Sequence, residues 1–311
     1  MARTDGAGHD AGGMAMTTMT VEREAWHLQQ GDEILAGVSA LRLLGGGTRY
    51  EAYLAFDERL HHVVVVKVLR PSRIDDDGAL RGLRAEAEML SRLNHPAIAR
   101  LLRSGIEDER PHIVLEFVEG PRLSTLIRRF GPLENEQAAP LAVEIASALH
   151  YLHGLGVVHL DVKPKNLIMG APPRLIDLSI ARSFAAAGDL TVPIGTDAYM
   201  APEQCVPAPG LIGTAADVWG LGVTMYEGLA GEPAFPRGSD APDASLEERF
   251  PQLTHAPAPL PERVPDELAV ATFAALALDA ADRPTARGFA EIVEPLLLRR
   301  RRLVLNQLKP R

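Results

Sequence analysis

The chain has one cysteine, Cys205, in 311 residues. A single thiol cannot close an intramolecular disulfide, so the small stapled scaffolds of secreted proteins are excluded and a reducing cytosol suits the chain. Cys205 itself reads as a packed small residue rather than a reactive thiol. Long apolar runs are also missing. None reaches the roughly 18 residues a membrane helix needs, and the longest candidate, Leu268 to Leu278, stops at Asp279 and reads as a buried helix. Basic charge is in deficit. Thirty-two Lys and Arg stand against 41 Asp and Glu, a net charge of −9, and the pI is near 5.6. That balance removes any general attraction for nucleic acid or an anionic membrane. The opening stretch, MARTDGAGHDAGGMAMTTMT, has neither the charged-then-apolar order of a signal peptide nor a compact apolar core. It reads as a disordered tail. No internal repeat is evident.

What is present is a globular composition, 46% hydrophobic and 23% charged, on a chain long enough for two cores or two lobes sharing a cleft. From about Ile34 to Val118, strand signals dominate. "EAYLAF" alternates polar and apolar residues, and "HHVVVVKVL" is β-branched and nearly continuously apolar, as in a strand covered on both faces. "ALRGLRAEAEMLSRLNHP" has helical spacing through Leu80, Leu83, Met89, Leu90 and Leu93 and stops at Pro96. After Gly120 the pattern turns helical: "ENEQAAPLAVEIASALHYLHGLG", "TAADVWGLGVTMYEGLAG", "DELAVATFAALALDA" and "TARGFAEIVEPLLL". The Pro-rich stretch 232–265 reads as loop and short helix.

Between those helical patterns lies "VVHLDVKPKNLIM", residues 157–169. It gathers His159, Asp161, Lys163 and Asn166 within eight residues. Taken alone, it reads either as a catalytic loop or as a polar turn between two strands.

The landmarks in order are "LGGGTRYEAYLA", "VVVVKVL", "HLDVKPKN", "LIDLS", "GTDAYMAPE", "ADVWGLG" and "DRPT". This series resembles the successive motifs of the protein kinases, in the bacterial Hanks-type serine/threonine branch, over about residues 35–298. The resemblance implies an α+β bilobal fold, with a β-rich N-lobe (about 34–118) and an α-helical C-lobe (about 119–298). A tail over 1–33 would precede this domain and a basic tail over 299–311 would follow it. Phosphoryl transfer asks the protein for positioning and charge neutralisation. The resemblance accordingly assigns Lys67 to the α- and β-phosphates and Glu86, rather than Glu88, to the pairing of that lysine. Asp161 takes the substrate hydroxyl's proton, and Lys163 neutralises the moving phosphoryl group. Asn166 and Asp177 supply the hard oxygens that suit Mg2+, or Mn2+ in its place.

ATP would be held by Gly45 and Gly47 of the glycine loop, by Ala52, Val65 and Ile168 around the adenine, and by the backbone of Glu116 to Val118. Leu115 is the gatekeeper. Glu203 pairs with Arg283, and Asp217 holds the catalytic loop backbone. The implied partner is a protein carrying Ser or Thr, with no nucleic acid and no membrane span. The cytoplasm is the implied location, and self-association would serve autophosphorylation.

Four departures qualify the resemblance. Tyr50 stands where the third loop glycine belongs, a place where Gly lets backbone approach phosphate closely. Ala52 and Val65 exchange the usual large and small residues, which conserves pocket volume. Leu160 replaces the arginine that reads an activation-segment phosphate, although Thr191 remains as an acceptor. Ser179 in "DLS" replaces the glycine of Asp-Phe-Gly, with Leu178 filling the aromatic's slot. The alternatives to an active serine/threonine kinase are a pseudokinase that binds or scaffolds, and, less in keeping with "GTDAYMAPE", a small-molecule kinase.

Overall fold

The computed structural model describes residues 25–307, with side chains through residue 299. The chain divides into two compact units. The first runs to Arg92 and adds Arg100–Phe117; the second comprises Leu93–Ala99 and everything from Val118 onward.

The first unit is built on a six-stranded antiparallel sheet: β1 (Glu33–Leu35), β2 (Val38–Gly46), β3 (Tyr50–Asp57), β4 (His62–Leu69), β5 (Leu101–Gly105) and β6 (His112–Glu116). The strand order is β1-β2-β3-β4-β6-β5. Side chains alternate across a strand, and β3 shows this as a strict half-buried, buried repeat. Tyr53 and Ala55 of β3 and Val64, Val66 and Val68 of β4 turn to one face, where they form a core with Ile34, Val38, Ala40 and Val114. Ala52 is paired with Lys67, and Leu54 with Val65, so those four share the opposite face.

Helix α1 (Asp77–Ser91) follows the sheet's first four strands. Asp76 caps it, accepting from the N–H groups of Gly78 (2.9 Å) and Ala79 (3.1 Å), which fills two of the donors a helix start leaves unpaired. The buried stripe is Ala79, Leu83, Glu86, Ala87 and Leu90. Leu80 and Met89, expected in that stripe, lie at its half-buried margin.

A tail is expected over residues 1–33. Its first 24 residues lie outside the described ones, but Trp26 and Leu28 pack on the sheet core. The sequence hid this because a lone Trp and Leu among polar residues have no periodicity to read.

The second unit is helical. Its main elements are α2 (Leu123–Phe130), α3 (Asn135–Gly154), α4 (Thr214–Ala230), α5 (Asp266–Ala275) and α6 (Ala286–Gln307). Helix α4 is buried on nearly every side from Ala216 to Tyr226, as its all-round apolar sequence demands. Gly222 lets α5 approach: a Cβ there would lie 2.8 Å from that of Ala275. Helix α4 stops at Gly231, whose φ of 82° is the left-handed cap that glycine tolerates. The stretch Leu268–Leu278 is half-buried rather than buried. Leu268, Ala271 and Ala275 face inward, while Val270 and Leu278 are more than half exposed. The arginine-rich end continues α6. No helix among the described residues is long and apolar enough to cross a membrane.

Residues 93–99 join the second unit through backbone bonds. Ala97 and Ala99 exchange hydrogen bonds with Leu175 (2.8 and 3.3 Å), so the segment after α1 becomes part of the second unit's core. Two short ribbons then frame residues 159–166. One pairs β7 (Val157–Val158) with β10 (Arg182–Ser183), and the other pairs β8 (Leu167–Ile168) with β9 (Arg174–Leu175).

Candidate active site

In the first unit, Lys67 and Glu86 meet. The ammonium donates to both carboxylate oxygens at 2.8 Å, with Lys67 8% and Glu86 3% exposed. A buried charge stays ionised only when it is paired, and this is a chelated pair between β4 and α1. Glu88 is exposed, which leaves Glu86 as the partner, as expected. The ring of Tyr50 adds a third element, with the Lys67 ammonium 4.6 Å from its centroid, inside cation–π range.

The glycine turn is closed by the β2–β3 register, Gly45 opposite Ala52 and Gly46 opposite Glu51. Gly45 has φ of 139°. Gly46, which sequence reading passed over, has the least room: a Cβ there would sit 2.5 Å from the Tyr50 carbonyl oxygen. Gly47 has no neighbour within 4 Å of that point, so its surroundings leave space for a ligand.

Ala52 and Val65 lie on the Lys67 face of the sheet. The Glu116 N–H is taken by the Arg100 carbonyl (2.9 Å), and its carboxylate accepts from Arg100 Nε (3.2 Å). Val118 belongs to the second unit. Ile168 is there too, on β8 and buried.

The remaining expected groups are in the second unit, around Asp161. Its carboxylate accepts from Lys163 Nζ (2.6 Å), Asn166 Nδ2 (2.9 Å) and the Thr196 hydroxyl (2.8 Å). Lys163 also donates to Thr196 Oγ1 (2.5 Å), which closes a ring of three side chains. Charge-assisted bonds of this kind are the strong ones. The loop backbone is held from beneath. Asp217 of α4 accepts the N–H groups of His159 (2.8 Å) and Leu160 (2.7 Å), and His153 of α3 reaches it at 2.9 Å. His159 Nδ1 in turn accepts the Asp161 N–H (3.2 Å). Both sequence-level alternatives for residues 157–169 therefore hold part of the truth: the segment does link two strands, and its polar side chains converge.

Leu160 and Asp177 each have φ of 67°. For residues with a Cβ this left-handed backbone is uncommon, and it persists only when neighbours over-determine it, at about 1–3 kcal/mol each. For Leu160 the neighbours are visible. Asp217 holds its N–H, and Gln204 Nε2 donates to its carbonyl (3.1 Å). The same amide nitrogen donates to Ile194 O (2.9 Å), while Gln204 Oε1 accepts from Ala201 N (3.1 Å). A buried glutamine thus ties residues 160 and 194 together. Asp177 Oδ1 accepts from the Ser179 N–H (3.3 Å), and Leu178 is buried.

Glu203 and Arg283 form a two-point pair at 2.7 and 2.9 Å. Arg283 further donates to the carbonyls of Ala277, Ala215 and Leu278, so all five of its N–H donors are used. Cys205 is buried, and burial together with the charge of Asp197 pushes its thiol up to about 12. It is inert packing, as expected.

Metal fit follows from the donors. Asn166 commits its amide nitrogen to Asp161, which turns its oxygen to other partners, and Asp177 is an exposed carboxylate in the same unit. No cluster of three His, Cys, Asp or Glu able to hold a metal exists among the described residues. Two hard oxygens without a protein cage fit Mg2+, which keeps waters and phosphate oxygens in its shell.

Thr196, Gln204 and His153 were missed at the sequence level. A threonine one residue after the glycine of "GTDAY" was the available signal for the first, while the other two carry none.

A family model described as "Protein kinase domain" matches residues 38–293. The serine/threonine-protein kinase PknB of Mycobacterium leprae (strain TN) is 36% identical over 202 residues, covering 62% of this chain and 32% of that protein. PkaA of Streptomyces coelicolor, also a serine/threonine-protein kinase, is 36% identical over 235 residues, 73% of this chain and 42% of its own. The serine/threonine-protein kinase pkn2 of Myxococcus xanthus is 32% identical over 231 residues, 71% of this chain and 27% of its own. The chain spans about a third of the length of the PknB protein it matches.

Proposed function

The chain belongs to the protein kinase family, and from that premise we propose that it transfers the γ-phosphoryl group of ATP to serine or threonine hydroxyls of proteins. The observation that carries this is the Asp161 carboxylate, held by Lys163 and Thr196 in one ring and by Asn166 beside it. A carboxylate fixed on several donors keeps one orientation. It can then accept the proton of an incoming hydroxyl as that oxygen bonds to phosphorus and the bond to the ADP oxygen breaks, with ADP leaving on the electron pair. Lys163, beside Asp161, supplies positive charge where the phosphoryl group passes. Lys67, oriented by Glu86, does the same for the phosphates that remain on ADP.

Asn166 and Asp177 are the residues that would hold Mg2+, which when bound neutralises phosphate charge. Gly45, Gly47, Ala52, Val65, Ile168 and the Glu116 and Val118 backbone would hold the nucleotide. Support for the cytoplasm as location comes from the single, buried Cys205.

Regulation follows from Leu160. It offers no donor to a phosphate, and Gln204 already ties its carbonyl to Ile194, so the activation segment is ordered without phosphorylation.

The test is ATP-dependent labelling of a generic basic protein, with Asp161→Asn as control. Transfer is expected to fall by about 10²–10⁴-fold in the variant, while its ATP·Mg affinity stays near wild type. Asp177→Asn is expected to weaken metal-dependent nucleotide binding instead. Wild-type rates in both variants would sink the enzyme assignment, and no transfer by the wild-type chain would restore the pseudokinase alternative.

A further inference from the structure

We propose that the segment ahead of the family match, through Trp26, is a brace that positions the glycine loop. The match begins at residue 38, so Trp26 lies ahead of the matched residues. Trp26 is nonetheless tied in at three points. Its indole N–H donates to the Leu69 carbonyl (2.7 Å), its backbone N–H donates to Glu51 Oε2 (3.3 Å), and the Arg110 guanidinium lies 4.6 Å from its ring centroid. Further along, Gly31 donates to Ala40 O and Ala40 to Asp32 O, both at 2.8 Å, so the segment continues onto β2.

Glu51 is the hub. It is 2% exposed and accepts from Trp26, from the Tyr53 hydroxyl (2.5 Å) and from Arg70 Nη1 (3.0 Å). A carboxylate buried to this degree needs each of its donors. Arg70, held by Glu51, uses its Nε to donate to the Gly47 carbonyl (2.7 Å), and its backbone N–H donates to Arg49 O (2.9 Å). The chain of contacts therefore runs from Trp26 through Glu51 and Arg70 to Gly47.

Its end point gives it consequence. In a trans peptide, carbonyl and following N–H point oppositely in one plane. Pinning the Gly47 oxygen on Arg70 thus fixes the direction of the Thr48 N–H, and backbone N–H groups of such loops are what phosphate oxygens bind. The third glycine is lost to Tyr50, so this loop is pre-set by a brace rather than left to close on its ligand. Trp26, Glu51 and Arg70 are positioning residues, and the proposal rests on the nucleotide use proposed above.

The test separates the two. Amide hydrogen exchange across residues 45–50 is measured on the full chain without nucleotide, for wild type, Trp26→Ala, Trp26→Phe and Arg70→Met. Trp26→Ala and Arg70→Met are expected to speed exchange there about tenfold, with β4 and β6 unchanged. Trp26→Phe keeps an aromatic ring but loses the indole N–H that Leu69 O accepts, so it should fall between. In kinetics, both disruptive variants should raise KM for ATP about three- to tenfold with kcat within about twofold, the signature of lost ground-state binding. Unchanged exchange over 45–50 in Trp26→Ala would overturn the brace, as would an equal rise through β4 and β6, which would mark plain structural support. The exchange result stands whether or not the chain transfers phosphate.

Discussion

The two units of this protein hold their buried acids in different ways. In the first, each is answered by a cation: Glu86 by Lys67, Glu51 by Arg70, Asp57 by Arg103. In the second, Asp161 and Glu203 have Lys163 and Arg283, while two acids of α4 have no Lys or Arg partner among the described residues. Asp217 rests on two backbone N–H groups and an imidazole, and Glu227 of α4 accepts from a phenol, Tyr199 Oη at 2.6 Å. The consequence shows in their titration. Burial works against ionised Asp57, yet the Leu60 N–H and the Arg103 guanidinium outweigh it and hold the carboxyl below the usual range. Burial of Glu227 wins over its bond from Tyr199 and raises it. Tyr199 is raised as well, by its own burial first and then by Glu227. An acid in a protein core is thus defined by its partner's charge as much as by its depth.

Of the two cation-paired acids in the second unit, Glu203 with Arg283 is where that contrast breaks most sharply. Arg283→Ala leaves a carboxylate that is 8% exposed without its cation, and three carbonyls without donors. It should lower unfolding free energy by about 3–5 kcal/mol, read from the urea midpoint. An unchanged midpoint would mean the pair contributes as little as a surface bridge.

Gln204 tests a neutral tie. Gln204→Ala removes the donor to Leu160 O and Ile194 O and should cost about 1–3 kcal/mol. Because Leu160 precedes Asp161 and Ile194 lies two residues before Thr196, transfer rate should drop further than stability does. Equal loss in both would make the glutamine packing only.

Acidity offers a finer comparison. Asp57, depressed in the folded state, contributes stability that is present above its ordinary value and is lost as pH falls through its folded one. Glu227, raised, contributes stability that is present below its ordinary value and is lost as pH rises through its folded one. Asp57→Asn should therefore weaken the fold at neutral pH and flatten the acid limb. Glu227→Gln should flatten the window just above the ordinary glutamate range and leave neutral stability no lower than wild type. Urea titrations across that range decide it, and matching pH profiles for the two variants would erase the contrast.

The smallest effect is expected at Thr191, which is exposed. With Leu160 unable to grip phosphate, Thr191→Ala and phosphatase treatment should each leave most of the activity. A large loss on both would point to another phosphate-binding cation.

Much of this was legible beforehand, for identifiable reasons. Residues 159–166 lie close along the chain, so their chemistry appears as a string. Glu86 stood in register with Leu83 and Leu90, one face of a helix, and the alternation in β3 announced its two faces. Where patterning was weak, reading failed. Trp26 looked like tail, Val270 and Leu278 looked like core, and Gly46 was passed over for Gly45 and Gly47.

By itself, then, the sequence determined the family, the element types and the identity of the charged groups, because these follow from residue chemistry and from spacing within a turn or a strand. Tertiary structure alone decided which groups meet. Asp161 bonds to a hydroxyl 35 positions away, Leu160 to an amide 44 away, and Trp26 to a carboxylate 25 away. Hydrogen bonds act over about 3 Å, and a partner that far along the chain leaves no mark on local composition. Only the packing of strand on strand and helix on loop brings such atoms within range.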